Sequence, residues 1–250
     1  MEAKDRIIVA LDVDSLDKAL ELVEQLKDYV GLFKVGLELL TKEGTLKVTE
    51  AIHDKMLTKT STSIFYDGKF LDIPNTVAGA SKAVSRLPGV GMFNVHASGG
   101  VEMMRAAVEV AQNLPPKVLA VTVLTSLSED DAHLIYGQPS KAKVMEFARW
   151  AKIAGVDGLI CSPKELEVLG KCKELAGLLR VTPGVRPKWA VKGDQKRVMT
   201  PADAIKAGAD YLVIGRPIRK PPAEIGSPVD AAKKIAEEIA EALEEKGGEK

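Results

Sequence analysis

The sequence predicts an α/β fold, a single-domain (β/α)8 TIM barrel over residues 1–250, and three observations carry that reading. Eight short apolar runs recur along the chain, helical patterns separate them, and no Pro/Gly-rich linker or break in composition divides the whole. Continuous rather than alternating hydrophobicity suits strands covered on both faces, as in a parallel sheet wrapped by helices. Eight such alternations are the pattern of a closed barrel, with an open doubly wound sheet as the rival. A chain of 250 residues with 46% hydrophobic content is long enough for one large core, and barrels commonly reach this size as one domain.

The elements follow in order. "RIIVALD" (6–12) is the first strand and ends in Asp12; Ser15 then caps a helix that places Leu16, Ala19, Leu20, Val23 and Leu26 at three-four spacing. "LFKVGLELL" (32–40) is the second strand and contains Lys34. "SIFYDGKF" (63–70) brings Asp67 and Lys69 to the end of the third, with Asp72 just beyond. "GMFNVHA" (91–97) carries Asn94 and His96, and the helical spacing returns in "GGVEMMRAAVEVAQNL". "KVLAVTVLT" (117–125) ends at Thr125, beside Ser126. "DGLICSP" (157–163), "LRVTPGV" (179–185) and "YLVIGRPI" (211–218) complete the set, and a last helix runs from Pro228 to Glu245.

Composition narrows the partners. Lys plus Arg number 35 and Asp plus Glu number 35, so overall charge favours neither nucleic acid nor an anionic membrane. The N-terminal apolar run, Ile7 to Leu11, is too short for a signal-peptide core or a membrane span, and a cytoplasmic protein is expected. Cys161 and Cys172, with three scattered histidines, give no zinc-ligand spacing and read as buried or neutral thiols.

Barrel active sites lie at the C-terminal ends of the strands, where these polar residues fall. Asp67 and Lys69 are two apart and share one strand face; facing inward would partly desolvate them. Buried charges must be paired, and Asp12, Lys34, Asp67, Lys69 and Asp72 can pair internally. Such a cluster in a cleft favours catalysis over a purely structural network. His96 reads as a core histidine bonded to backbone. A second constellation follows strands seven and eight: "TPGVRP" and "VIGRPI" each join a glycine to an arginine, Arg186 or Arg216. Loops seven and eight commonly hold phosphate, and arginine matches its oxygens. The segment "KWAVKGDQKRV", with Lys188, Lys192, Gln195, Lys196 and Arg197, is long enough to form a lid. Its individual lysines read as solvated, and Gly215 with Arg216 is the stronger phosphate site.

Taken together, "ALDVD", "FKVGLELL", "DGKFLDIPNTV", "TPGVRP" and "GDQKRVMTPADAIKAGADYLVIGRPI" resemble the orotidine 5′-phosphate decarboxylase family over nearly the whole chain. The resemblance implies a homodimeric barrel enzyme, without cofactor or metal, that converts orotidine 5′-phosphate to UMP and carbon dioxide in the last step of pyrimidine nucleotide synthesis. By resemblance Lys69 is the proton donor, Asp67 and Asp72 flank it, and Lys34 completes the catalytic array. Asp12 and Lys34 match ribose contacts. Thr125 and the segment from Asp67 through Ile73 and Pro74 to Thr76 match nucleotide contacts. Arg186, Gln195, Gly215 and Arg216 match the phosphate site and its lid, while Asp72, Ile73 and Thr76 would reach the partner's site. The chain departs from the commoner DLKFHDIPNT at Gly68 and Leu71. Two alternatives stand beside this reading. A related barrel acting on a sugar phosphate with Mg²⁺ shares the shorter DxKxxD pattern, and a non-catalytic nucleotide-binding protein is the other. "IPNT" after Asp72 and the Gln195 segment favour a nucleotide, and the charge set favours catalysis.

Overall fold

A computed structural model describes residues 1–57, 63–190 and 199–248. Eight parallel strands, β1 (Ile7–Ala10), β2 (Leu32–Gly36), β3 (Ile64–Phe70), β4 (Val90–His96), β5 (Lys117–Val121), β6 (Gly158–Ile160), β7 (Leu179–Pro183) and β8 (Tyr211–Ile214), pair in chain order. β8 returns to β1 and closes the barrel, so the open-sheet rival is set aside. Around it run α1 (Leu16–Leu26), α2 (Leu37–Glu43), α3 (Thr45–Met56), α4 (Pro74–Val84), α5 (Gly100–Ala111), α6 (Glu129–Tyr136), α7 (Ser140–Ala154), α8 (Leu166–Lys171), α9 (Pro201–Lys206), α10 (Arg216–Arg219) and α11 (Pro228–Gly248). Among the described residues, no helix is long and apolar enough to cross a membrane.

Local chemistry explains the helix starts and faces. Ser15 accepts from the Lys18 amide and caps α1, which buries Leu16, Ala19, Val23 and Leu26. α5 turns Met103, Met104, Ala107 and Ala111 inward at the same spacing. The final helix continues past Glu245 to Gly248.

Several strands stop earlier than the apolar runs suggest. β1 ends at Ala10, two residues before Asp12; β5 ends at Val121, four before Thr125; and the run 32–40 divides at Gly36 into β2 and α2. A strand covered on both faces has no alternation to mark its end, and residues beyond the strand, such as Val123, are still buried by the folded mouth. Hydrophobicity therefore outlasts the strand.

Strand periodicity sorts the core into two layers. Ile7, Val9, Phe33, Val35, Ile64, Phe93 and Val95 face the helices. Ile8, Ala10, Leu32, Phe65, Met92, Leu119, Val181 and Val213 plug the barrel interior. Burying each larger apolar side chain contributes about 1.5–3 kcal/mol. One inward step above this plug come Lys34 after Leu32, Asp67 after Phe65 and Asn94 after Met92, so polarity begins where the apolar filling ends. Cys161, just past β6, is 1% exposed. Burial pushes its thiol up to about 12, and its Sγ lies 3.9 Å from Thr182 Oγ1.

Candidate active site

Asp67 is the hub of the mouth. Its Oδ1 accepts from Lys69 Nζ at 2.6 Å and from Asn94 Nδ2 at 2.7 Å. Its Oδ2 lies 3.0 Å from Lys34 Nζ, which also donates to Asp12 Oδ1 at 3.1 Å. The result is a continuous chain of alternating charge, Asp12–Lys34–Asp67–Lys69. Burial alone would raise the Asp67 carboxyl, but Lys34, Lys69 and the Asn94 amide outweigh it and hold the group below the usual carboxylate range. Lys34 mirrors this: burial opposes its charge, while Asp67 and Asp12 together raise it above the ordinary lysine value. Gly36 makes room for the pair, since a Cβ there would stand 3.1 Å from Lys34 Nζ.

Three compartments meet at this chain. An apolar cavity of ≈ 160 Å³ is lined by Phe65, Val121, Val123, Leu124, Ile160 and Val213, with Lys69 and Thr125 on its wall. A polar cavity of ≈ 330 Å³ lies between β7 and β8 and takes Gly184, Arg186, Gly215, Arg216 and Arg219. A third, of ≈ 220 Å³, is bounded by Asp12, Lys34, Gly36, Leu37, Asp67 and Lys69. Lys34 borders all three. The mouth can thus seat a flat apolar group and an anion at opposite ends, with charged groups between them.

Residues 5–235 match the model of the orotidine 5′-phosphate decarboxylase / HUMPS family. The chain belongs to that family. The orotidine 5′-phosphate decarboxylase of Heliobacterium modesticaldum is 48% identical over 253 residues, covering 97% of this chain and 99% of its own. The enzyme of the same name from Moorella thermoacetica is 47% identical, over 96% and 94%. Among solved structures, orotidine 5′-phosphate decarboxylase from Lactobacillus acidophilus superposes with a TM-score of 0.76 at 33% identity, over 93% of this chain and 98% of that one. Orotidine 5′-monophosphate decarboxylase from Methanocaldococcus jannaschii, complexed with the inhibitor BMP, gives 0.72 at 27% identity, over 94% and 98%.

Within this decarboxylase-family barrel, most of the sequence-derived site residues converge. Asp12, Lys34, Asp67, Lys69, Thr125, Arg186, Gly215 and Arg216 each border at least one of the three compartments. Gln195 lies outside the described residues. Asp72 stands apart from the four-member chain: it is exposed, and its Oδ1 accepts from its own neighbour, the Ile73 amide, at 2.6 Å. It stands past the strand end, with exposed Ile73 beside it and with Pro74 and Thr76 in the first turn of α4. His96 is a correction to the expected backbone-bonded core histidine. It ends β4 half-buried, and its imidazole makes no hydrogen bond with another described residue; burial and the Lys69 charge hold the imidazole low.

Two participants were not assigned a role from sequence. Asn94 gave only the signal of a polar residue at an inward strand position. Arg219 gave the signal of a second arginine one turn after Arg216. Its side chain is 10% exposed, and its terminal nitrogen lies 4.0 Å from Asp12 Oδ2. Its buried Nε has no hydrogen-bond partner among the described residues. Burial lowers its pKa, Asp12 partly offsets that, and Arg216 adds to it.

Proposed function

We propose that the protein decarboxylates orotidine 5′-phosphate to UMP and carbon dioxide. The observation that carries this reading is the placement of the Asp12–Lys34–Asp67–Lys69 chain between an apolar slot and an arginine-bearing cavity. The pyrimidine occupies the slot, the ribose the region of Asp12 and Lys34, and the phosphate the cavity of Arg186, Gly215 and Arg216. Loss of carbon dioxide leaves negative charge localised on a ring carbon, and the ammonium of Lys69 stabilises that charge and then delivers its proton to it. Lys34 keeps Asp67 ionised and in place. Asp67 faces the departing carboxylate, and two such charges at about 4 Å repel by roughly 4 kcal/mol at an effective dielectric near 20. If all of it were released in the transition state, that would be worth about a thousandfold in rate. Binding of the remote phosphate supplies further energy for organising the reacting end.

The sugar-phosphate alternative needs carboxylates free to hold Mg²⁺. Here Asp12 and Asp67 both engage Lys34, which favours the lysine-based chemistry. Turnover followed by the loss of pyrimidine absorbance, with a hexulose phosphate as the competing substrate and before and after exhaustive chelation, tests the proposal. Orotidine 5′-phosphate should be consumed at the same rate in both conditions. Magnesium-dependent turnover of the sugar phosphate in its place would overturn it.

A further inference from the structure

We infer that Asn94 is the positioning residue of the catalytic pair, its side-chain amide replacing a stretch of strand pairing that β3 lacks. This rests on the functional reading above.

β3 and β4 pair Tyr66 with Phe93 and then Phe70 with Val95. Three residues, Asp67, Gly68 and Lys69, therefore stand opposite Asn94 alone. The ladder is interrupted at the residues that carry the chemistry, and bulges of this kind re-aim side chains. Lys69 takes a positive φ of 50°, a region that a non-glycine residue enters only when its surroundings hold it there. The Lys69 N–H donates to Asn94 Oδ1 at 2.7 Å, where a regular ladder would offer it a backbone carbonyl. The other end of the same amide, Asn94 Nδ2, donates to Asp67 Oδ1 at 2.7 Å. That oxygen is the one Lys69 Nζ also binds. One fully buried side chain thus fixes the backbone of the proton donor and the carboxylate that orients its ammonium. An amide does both at any pH, whereas an ionised carboxylate cannot, because the site needs an acceptor towards Lys69 and a donor towards Asp67.

Gly68 makes the excursion possible. A Cβ at that position would stand 2.4 Å from Tyr66 Cε1 and 3.2 Å from Phe70 Cε1, so the aromatic rings fill the space that a side chain at 68 would need.

Two variants test the role. Asn94→Ala removes both bonds and should lower kcat on orotidine 5′-phosphate by about a hundredfold, the scale of an ångström-sized misplacement. UMP affinity, set mainly by the distant phosphate cavity, should stay near wild type and report that the variant is folded. Asn94→Asp is nearly isosteric. Ionised, it sets a carboxylate against Asp67; protonated, it regains both the acceptor and the donor. Its kcat relative to wild type should therefore rise as pH falls. The charged and titratable groups around position 94 are Asp67 and Lys69 on β3, Lys34 on β2 and His96 on β4, and taking the ratio to wild type at each pH removes their own titrations. Wild-type kcat in Asn94→Ala, or a ratio for Asn94→Asp that is flat with pH, overturns the inference while wild type turns over. Absence of wild-type turnover overturns the functional reading itself.

Discussion

Lys69 and Lys34 are both lysines of one network, yet their surroundings give them different work. Lys34 is held between two carboxylates with its side chain 12% exposed, whereas Lys69, which lines the apolar slot, pairs among the described residues with Asp67 and is 31% exposed. An ammonium has three donors, so Lys69 keeps donors for a ligand. Lys69→Ala should abolish turnover while UMP binding, measured by calorimetry, survives. Arg216→Ala should do the reverse, weakening UMP by about one to two decades, because charge-assisted contacts contribute on the order of 1.5–3 kcal/mol. Asp67 also gives a pH dependence. Its carboxyl falls below its ordinary value on folding, so its stabilisation is present above the unfolded value near 4 and is lost as pH falls through the folded one. Chemical denaturation of wild type and Asp67→Asn should show the wild-type advantage shrinking from about pH 4 downward. Asp67 and Lys69 were legible because period two and charge coincide at a strand end. Asn94 was not, since its partners depend on a β3–β4 register that sequence does not contain.

At the scale of elements, β3 is the informative strand. Its side chains alternate regularly to Asp67, and then the backbone leaves the ladder for three residues. The two-residue spacing of Asp67 and Lys69 led to the right neighbourhood, although Lys69 reaches Asp67 through a left-handed backbone and not through simple alternation. Gly68 leaves the space that the Tyr66 ring fills. Gly68→Ala should therefore lower unfolding stability by about 1–3 kcal/mol, the range for overpacking. Pairing it with Tyr66→Val should recover part of that loss, visible as non-additivity in a double-mutant cycle. Strand ends elsewhere were misjudged for a common reason. The buried mouth of the barrel stays apolar after the hydrogen-bonded ladder has stopped, as at Val123, and a helix can begin on an apolar residue, as α2 does at Leu37.

The barrel as a whole was readable because eightfold alternation leaves few topologies open. What lies beyond one chain was readable only through family resemblance. Asp72 stands outside the ion-pair chain, beside Leu71 at 54% and Ile73 at 66% exposure. We propose that this edge meets a second copy and that Asp72, Ile73 and Thr76 serve the partner's site across a two-fold axis. Lys69→Ala and Asp72→Ala homodimers should each be nearly inactive. Mixed under subunit exchange, they form one doubly defective site and one intact site, so activity should return. Exchange verified by mass spectrometry without recovered activity would place Asp72 in its own chain's chemistry. We further expect residues 1–250 to behave as one domain, unfolding in a single calorimetric transition that UMP shifts upward by mass action.

The thiol sealed behind the barrel wall gives the fold an internal clock. A group held near 12 and 1% exposed presents almost no thiolate to an alkylating reagent. The half-buried Cys172 is placed to react first, and Cys161 only in molecules whose β6–β7 seam has opened. Mass-resolved labelling of the second site would therefore time the native barrel's excursions, and saturating UMP should lengthen the interval between them.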